Sequence, residues 1–298
     1  MVESWSVMGV FDSAFGVSGL GFRVMPELPE VETTMRGLAA IITGQRLARV
    51  EARRPDLRFP LPPDFAARMQ GQTVLRINRR AKYMLARLEG GLTWLTHLGM
   101  SGRMMVGQGP APEPAKHDHI IIETGAGGYA VYQDARRFGF MDLFPTSEEA
   151  LHPRLVSLGM EPLSGLTSAK LKAMLAGKSS SIKAALLDQR LIAGLGNIYV
   201  CEALFRAQVR PEREAGSMKP AELKRLTVAI PEVLREAIAA GGSSLRDYRQ
   251  PSGELGYFKA FWGVYGREGE DCITCGKSHV RRVVQSGRSS FYCPTCQR

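Results

Sequence analysis

The spacing of hydrophobic positions divides the chain into a β-rich part followed by a helical part. Apolar residues recur at intervals of four and three over 30–43, which predicts an amphipathic helix. From about 46 to 145, short alternating or apolar runs are separated by Gly, Pro and polar turns, which predicts the strands of a β-sandwich or barrel packed against that helix. The helical period returns from about 157 to 240 and predicts several helices.

These changes of pattern predict an α+β protein of several domains. A β-sandwich with a flanking helix spans 26–156, a helical domain spans 157–262, and a small cysteine-containing module spans 263–298. Within the helical domain, residues 243–262 are rich in Gly and aromatic residues and predict a loop. Residues 1–25 are expected to be an extension that is disordered or not translated, because the first 24 have no sustained period and lack the basic start of a signal peptide.

The charge of the chain narrows the range of partners. There are 39 Lys and Arg residues against 29 Asp and Glu, which gives a formal net charge of +10. A protein this basic is expected to meet a polyanion, nucleic acid before a membrane surface, while a basic protein with no such partner stays open. No apolar run approaches the roughly 18–20 residues of a membrane-spanning helix. With no secretion signal either, the expected compartment is the cytoplasm.

Four of the five cysteines form two CxxC pairs near the C-terminus. Each CxxC turn aims two thiolates at one point, and four thiolates complete the tetrahedral shell of a structural zinc ion. The sequence between the pairs predicts two strands around Ser286-Gly287-Arg288, and therefore a β-hairpin zinc finger with a basic tip. Redox pairs or disulfides are the alternatives, which this spacing and the missing secretion signal disfavour. The expected zinc ligands are Cys272, Cys275, Cys293 and Cys296.

Several glycine-bounded or basic turns suit contact with nucleic acid. The segment GLGN at 194–197 leads into a helix whose first N–H groups are free for an anion, although a plain helix start fits equally well. The turns DARRFG at 134–139 and HLGMSG at 97–102 carry Arg, Phe and Met that could wedge into a base stack or simply pack as loops. In KHDH at 116–119 a phosphate contact is favoured over a metal site, because the segment has no companion ligands.

Together these segments resemble one family, the bacterial formamidopyrimidine-DNA glycosylases. The motifs PELPEVET, RRAKYML, HLGMSGR, KHDH, DARRFG, GLGNIY and a finger ending in FYCPTCQR occur here in the family's order, from about residue 25 to 298. The LPEVET continuation is similar to the formamidopyrimidine branch rather than to the related endonuclease VIII enzymes. The resemblance implies a helix–two-turn–helix DNA-binding domain. It also implies a bifunctional glycosylase and AP lyase that removes oxidised purines, namely 8-oxoguanine and formamidopyrimidines, from duplex DNA by β,δ-elimination.

In that family the mature chain begins with proline, and the secondary amine of this proline is the nucleophile. A free α-amine titrates at about 7.7–8.0, so a useful fraction is neutral in the cell, and the positive end of the following helix should lower its pKa further. The matching residue here is Pro26, whose nitrogen is an amide as long as residues 1–25 precede it. We therefore expect the working chain to start at Met25, which would be removed because the next residue is small.

The resemblance implies roles for further residues. Glu27 matches the acid that protonates the sugar or the leaving group, Lys82 the proton donor of β-elimination, and Arg288 the donor of δ-elimination. Other matching residues would contact the DNA backbone or fill the gap left by the extruded base. The backbone contacts are His117, Arg136, Lys178 and Asn197, and the residues for the gap are Met100, Arg136 or Arg137, and Phe138. Lesion choice is expected to depend on a loop within 243–262.

The expected cofactor is one structural zinc ion per chain, with no redox or nucleotide cofactor. The expected partner is damaged double-stranded DNA, with no membrane, and the chain is expected to act as a monomer in a bacterial cytoplasm, near the nucleoid. Two alternatives remain at this point. A non-catalytic DNA-binding zinc protein of the same fold would show the same charge, turns and finger, and would result if 1–25 were retained. An endonuclease VIII-type glycosylase would remove oxidised pyrimidines instead.

Overall fold

The computed structural model describes residues 25–243 and 258–298, except for the side chain of Lys259. Apart from Met25, the predicted extension lies outside the described residues, as does most of the predicted loop over 243–262. In the described part, the N-terminal domain is built from β1 (Leu47–Ala52), β2 (Val74–Arg80), β3 (Tyr83–Leu88), β4 (Leu92–His97), β5 (Arg103–Gln108), β6 (Asp118–Thr124), β7 (Gly128–Gln133) and β8 (Phe140–Pro145).

These strands form two antiparallel four-stranded sheets, so the predicted β-sandwich is confirmed. One sheet has the order β1-β6-β7-β5 and the other has the order β2-β3-β4-β8. Six of the strands, β1 to β4, β6 and β7, coincide with the short runs LARVEARR, TVLRINRR, YMLARLEG, GLTWLTHL, HIIIET and GYAVYQD that the pattern predicts as strands. The edge strands β5 and β8 and the short helix α2 (Phe65–Met69) are not among the predicted elements.

The first helix, α1 (Leu28–Ile42), begins two residues before the predicted start at residue 30. The backbone N–H of Glu27 donates to Oε2 of Glu30 at 3.0 Å, which satisfies a donor at the entrance of the helix. Pro29 lies in the first turn, where no backbone N–H is needed. After the helix, Gly44 has a φ of +74°, a backbone conformation that glycine adopts without steric cost.

Helix α1 connects the two main cores of the protein. Val31 and Leu38 are buried among the strands of the sandwich, whereas Leu28 is buried in the core of the helical domain. The N–H of Leu28 also donates to the carbonyl of Gly194 at 3.2 Å. The start of α1, including Glu27, is therefore fixed against the helical domain.

The helical domain comprises α3 (Ser168–Leu175), α4 (Ile182–Leu187), α5 (Asn197–Arg206) and α6 (Pro220–Ala239). Helix α5 is the centre of this domain, since every residue from 198 to 205 is buried. The turn over 194–196 leads directly into α5, as its glycines predict. Among the described residues, none of the helices has the length and apolar character required to cross a bilayer.

The C-terminal module is a two-stranded hairpin, as predicted. Strands β9 (Arg281–Gln285) and β10 (Arg288–Tyr292) pair through a turn in which Ser286 and Gly287 both have positive φ, 49° and 73°. Phe291 of β10 is buried in the same core as the helical domain. The finger is therefore packed on the helices, and its turn is held at a fixed place relative to them.

Candidate active site

A cleft of about 670 Å³ opens where the sandwich, the helical domain and the finger meet. Four predicted site residues line it, and each comes from a different part of the chain. Glu27 precedes α1, Lys82 lies between β2 and β3, Asn197 starts α5 and Arg288 starts β10. Residues more than 250 positions apart in sequence thus face one cavity, which is the arrangement expected of an active site.

Pro26 is buried directly beside this cleft, and its nitrogen is bonded to Met25. Met25 itself lines the cleft. Removal of Met25 and everything before it would therefore leave the Pro26 nitrogen at the cleft wall, next to Glu27. The predicted nucleophile therefore lies beside the cleft, and its role stays a prediction.

The carboxyl group of Glu27 is buried, and its pKa is raised to about 7. Burial is the main cause and the neighbouring Glu30 acts in the same direction, while the charge of Lys82 opposes them. Its Oε1 accepts the N–H of Ile198 at 3.2 Å, and its Oε2 has no hydrogen-bond partner among the described residues. A carboxyl group with this pKa can hold a proton near neutral pH and deliver it to a bound substrate.

Gly196 makes this position of Glu27 possible. A Cβ atom on residue 196 would overlap the carboxyl group of Glu27. The second glycine of the GLGN segment is therefore required for the close approach of a side chain, whereas the sequence pattern suggested an approaching phosphate.

Glu30 fixes the start of α1 through buried hydrogen bonds. It is buried and accepts hydrogen bonds from the hydroxyl of Tyr199 on α5 and from the N–H of Ser243 after α6, the latter at 2.7 Å. Burial raises the pKa of this carboxyl group as well. Because Glu30 also accepts the N–H of Glu27, one buried side chain ties the segment of Glu27 to α5 and to the segment that follows α6.

Lys82 follows a strained turn that a second carboxylate supports. Ala81 has a φ of +53°, which is uncommon for a residue other than glycine. The carboxylate of Glu161 accepts the N–H of Ala81 and pairs with Arg79 at 2.9 Å and Arg80 at 3.1 Å. Burial lowers the pKa of Lys82, with Arg288 acting in the same direction and Glu27 against it. The amine is thus closer to giving up its proton than an exposed lysine would be.

The position of Arg288 is set through its neighbour, Ser289. The carbonyl of Ser289 accepts hydrogen bonds from Nζ of Lys183 at 2.8 Å and from Nδ2 of Asn197 at 3.0 Å. Lys183 is buried and also donates to Ser290 at 2.7 Å. The side chain of Arg288 remains exposed at the turn of the hairpin, as predicted.

His97 also lines the cleft, although it is not among the site residues expected from the sequence. Burial is the main cause that lowers its pKa to about 4, and the positive charges of Lys82, Arg58 and Arg154 add to it. Its Nδ1 accepts the N–H of Gly99 at 3.1 Å, so the proton of the neutral ring lies on Nε2. The available signal was its position, because His97 ends an apolar strand and is the first residue of the HLGMSG turn.

The lowered pKa of His97 predicts a dependence of stability on pH. Unfolded His97 would bind a proton below about pH 6.5, whereas the folded form resists protonation until about pH 4. Stability should therefore fall as the pH drops through this window, by up to about 3 kcal/mol from this group. In His97→Asn, whose amide oxygen can still accept the Gly99 N–H, thermal unfolding should lose that part of the pH dependence. Identical pH profiles of the midpoint for both proteins would contradict this.

The two turns that carry the predicted wedge residues are held together by a buried carboxylate. Asp134 accepts hydrogen bonds from the hydroxyls of Ser101 and Tyr132 and from the N–H of Gly139 at 2.8 Å. The wedge candidates on these turns are Met100, Arg136, Arg137 and Phe138. Phe138 is exposed, and the guanidinium of Arg136 lies 4.5 Å from its ring centroid. These four wedge candidates lie outside the lining of the main cleft and present an aromatic and cationic surface.

The remaining predicted DNA contacts also lie outside the main cleft. His117 is exposed beside a smaller pocket that Ser101 and Arg103 also line. Lys178 follows α3, and its backbone carbonyl accepts the N–H of Gly216 at 2.8 Å. Their roles as phosphate contacts stay predictions.

Four cysteines form the candidate metal site of the finger. The Sγ atoms of Cys272, Cys275, Cys293 and Cys296 all lie within 4.8 Å of one another. Two of the pairs, Cys272 with Cys296 and Cys275 with Cys293, have Sγ–Sγ distances of 3.8 Å. A tetrahedron with Zn–S bonds of about 2.3 Å has edges of about 3.8 Å, so the four thiols fit one zinc ion. Four thiolates fill the tetrahedral shell and leave no position for water or substrate, so the role of the metal would be structural.

Loss of one zinc ligand should unfold the finger without unfolding the sandwich. In Cys293→Ser the module is too small to fold without its metal. Because Arg288 and its turn lose their place, affinity for damaged duplex DNA should fall by at least about tenfold. Zinc content, limited proteolysis and a binding titration measure this, with Cys201→Ala, a buried cysteine outside the cluster, as the matched control. Undiminished affinity in the zinc-free variant would contradict the assigned role.

Comparison with known proteins agrees with this geometry. Family models match the formamidopyrimidine-DNA glycosylase N-terminal domain over 25–141, the H2TH domain over 158–249 and the zinc finger found in FPG and IleRS over 269–298. Formamidopyrimidine-DNA glycosylases from Cereibacter sphaeroides (strain ATCC 17025) and Rhodospirillum centenum are 56% and 57% identical, over 92% of this chain and 100% of each relative.

Solved structures show the same likeness. The MutM (Fpg) protein from Thermus thermophilus is 42% identical, with a TM-score of 0.80 over 91% of this chain and 98% of that chain. A Lactococcus lactis FPG mutant in complex with Fapy-dG containing DNA is 33% identical, with a TM-score of 0.83 over 92% of this chain and 100% of that chain.

The fold and the cleft define a class of DNA glycosylases that combine a β-sandwich, a helix–two-turn–helix domain and a zinc finger. Within that class, the chain belongs to the formamidopyrimidine-DNA glycosylase family. The predictions of this family, of its fold, of a DNA glycosylase that repairs oxidised purines and of one structural zinc ion are thereby confirmed. The domain bounds and the role of each site residue stay predictions.

Proposed function

We propose that this chain excises oxidised purines through the amine of Pro26, once residues 1–25 are gone. The observation that carries the proposal is the place of Met25, which lines the cleft beside Glu27 and is bonded to the Pro26 nitrogen. The freed amine attacks C1′ of the damaged nucleoside and forms a C–N bond. The glycosidic bond breaks and its electron pair leaves with the base. The amine then loses its proton, the C1′–O4′ bond of the sugar opens with proton transfer to O4′, and the iminium formed at C1′ acidifies the sugar for strand cleavage.

Glu27 serves as the proton donor of the first step. With a pKa of about 7, its carboxyl group is protonated in much of the population near neutral pH. It protonates the sugar or the leaving group while Pro26 attacks from the adjacent position. The unpartnered Oε2 is the atom available for this transfer.

Lys82 and Arg288 serve the elimination steps. Lys82, whose pKa burial lowers, donates and takes up protons during β-elimination. Arg288 at the hairpin turn assists δ-elimination and holds phosphate, because its guanidinium is a permanent cation with a planar fork of donors. Asn197 helps to position Arg288, because its side chain donates a hydrogen bond to the carbonyl of the adjacent Ser289.

The partner is damaged double-stranded DNA. Solved complexes of Lactococcus lactis FPG with abasic-site and Fapy-dG containing DNA support this partner. The target nucleotide must leave the stack to reach the cleft, and Met100, Phe138 and an arginine of the 134–139 turn would fill the gap. The chain acts as a monomer, because a single chain supplies all four cleft-lining site residues, and its place is the bacterial cytoplasm near the nucleoid.

Excision of two lesions in parallel tests the proposed substrate. A chain that starts at Pro26 should release 8-oxoguanine from a duplex much faster than thymine glycol, by at least about tenfold. Single-turnover assays on otherwise identical duplexes measure the two rates. A preference for thymine glycol would favour the endonuclease VIII-type activity, and binding without release of either base would favour the non-catalytic DNA-binding protein.

A further inference from the structure

An aromatic shelf extends from the cleft to the protein surface. We use this name for Phe59, Phe140 and His97. The rings of His97 and Phe140 are stacked with centroids 5.2 Å apart, and Phe59 meets Phe140 edge-on at 5.5 Å. His97 lines the cleft, whereas Phe59 is 38% exposed. The shelf thus connects the catalytic cavity with the outer face of the sandwich.

Two arginines lie on this shelf. The guanidinium of Arg154 is 4.7 Å from the ring centroid of Phe59 and 5.1 Å from that of Phe140. The guanidinium of Arg58 is 5.6 Å from the centroid of Phe59. Both side chains are exposed, and Arg154 lines the rim of the cleft. The rings hold the two cations by cation–π attraction, which leaves their charge unneutralised.

Neither of these arginines has a carboxylate within 4.0 Å in the described part of the chain. Nearby arginines differ in this respect, since Arg79 and Arg80 pair with Glu161 and Arg87 pairs with Glu149. The backbone under the free pair is fixed, because the N–H of Arg58 donates to the carbonyl of Gly139 at 3.0 Å. Two neighbouring cations without a carboxylate partner, one of them at the rim of the cleft, indicate a site for an external anion.

We propose that Arg58 and Arg154 form a phosphate-binding subsite for the DNA strand where it leaves the cleft. The inference rests on the proposed function, since a duplex whose nucleotide enters the cleft must pass over its rim. A phosphodiester group suits the site because its oxygens accept the paired N–H donors of a guanidinium. The guanidinium groups of Arg58 and Arg154 already lie over the Phe59 ring, so the shelf binds backbone rather than a stacked base.

Salt-dependent binding tests the subsite. In chains that start at Pro26, Arg154→Ala and Arg58→Ala should each weaken binding to a duplex with an abasic-site analogue by about tenfold. The slope of log K against log salt should become shallower by about 0.9 for each phosphate that the variant no longer neutralises. Arg235→Ala, an exposed arginine on α6 outside the cleft lining, is the matched control and should change neither value. Equal slopes for Arg154→Ala and Arg235→Ala would overturn the proposal.

Neutral phosphonates in the DNA locate the subsite. Replacing single phosphates by methylphosphonate should weaken binding of the parent chain at one or two positions beside the analogue. At those positions the replacement should not weaken the binding of the Arg154→Ala variant any further, because the substitution and the methylphosphonate remove the same interaction. Additive losses at every position would overturn the subsite. Failure of the proposed function would look different, since the parent chain would then release no 8-oxoguanine from the duplex, whatever the two arginine variants bind.

Discussion

A chain that keeps residues 1–25 should release no measurable 8-oxoguanine, whereas the same chain started at Pro26 should be active. The expected difference is at least about 10³-fold, since removal of a covalent nucleophile leaves only binding and electrostatic contributions. The physical reason is the Pro26 nitrogen, which is a planar amide without an available lone pair when Met25 is bonded to it. Single-turnover base release from an 8-oxoguanine duplex measures the effect.

The control must separate chemistry from simple obstruction of the cleft, because Met25 lines it. A chain with one extra serine in front of Pro26 blocks the amine with little added bulk. It should bind the abasic-site analogue as tightly as the chain that starts at Pro26 and still release no base. Base release by the serine-extended chain would contradict the role of Pro26.

Glu27→Gln should lower the rate of base release by about 10²–10⁴-fold, the range typical of a lost general acid. The amide keeps the size of the side chain and can still accept the N–H of Ile198, so the segment should stay in place. What it lacks is the proton that a carboxyl group with a pKa of about 7 can supply. Single-turnover release of 8-oxoguanine by chains that start at Pro26 provides the measurement.

Glu222→Gln is the matched control for this variant. Glu222 is also a buried glutamate at a helix start, where it accepts the N–H of Lys219 at 2.8 Å, but it lies outside the cleft lining. Its replacement should leave the rate of base release within about twofold, because a helix-capping residue outside the cleft affects stability more than chemistry. Equal rates for Glu27→Gln and the parent chain would show that the acid is another group.

The fold was largely predictable because its patterns are local. The two CxxC pairs define the finger, and the alternating runs define most strands of the sandwich. Strands β5 and β8 were not predicted because residues such as Gly107 and Asp142 interrupt their apolar pattern, which is tolerated at a sheet edge where a strand pairs with one neighbour. Helix α2, with five residues, is too short to show a period.

The site was less predictable from the residues themselves, because its contacts cross the fold. Pro26, Glu27, Lys82 and Arg288 were named through the family resemblance, and apart from the adjacent Pro26 and Glu27 no local spacing brings them together. The raised pKa of Glu27 needs burial against α5, and the fixed place of Lys82 needs Glu161, which is 79 positions later. His97 was missed for the same reason, since the cations that lower its pKa come from other segments.

Borohydride trapping tests the central claim most directly. Reduction during the reaction of the Pro26-started chain with an 8-oxoguanine duplex should give a covalent protein–DNA adduct, and peptide mapping should place it on the Pro26 nitrogen. The chain that retains residues 1–25 should give none. An adduct on a lysine such as Lys82, or an equal yield from the chain that retains residues 1–25, would contradict the account.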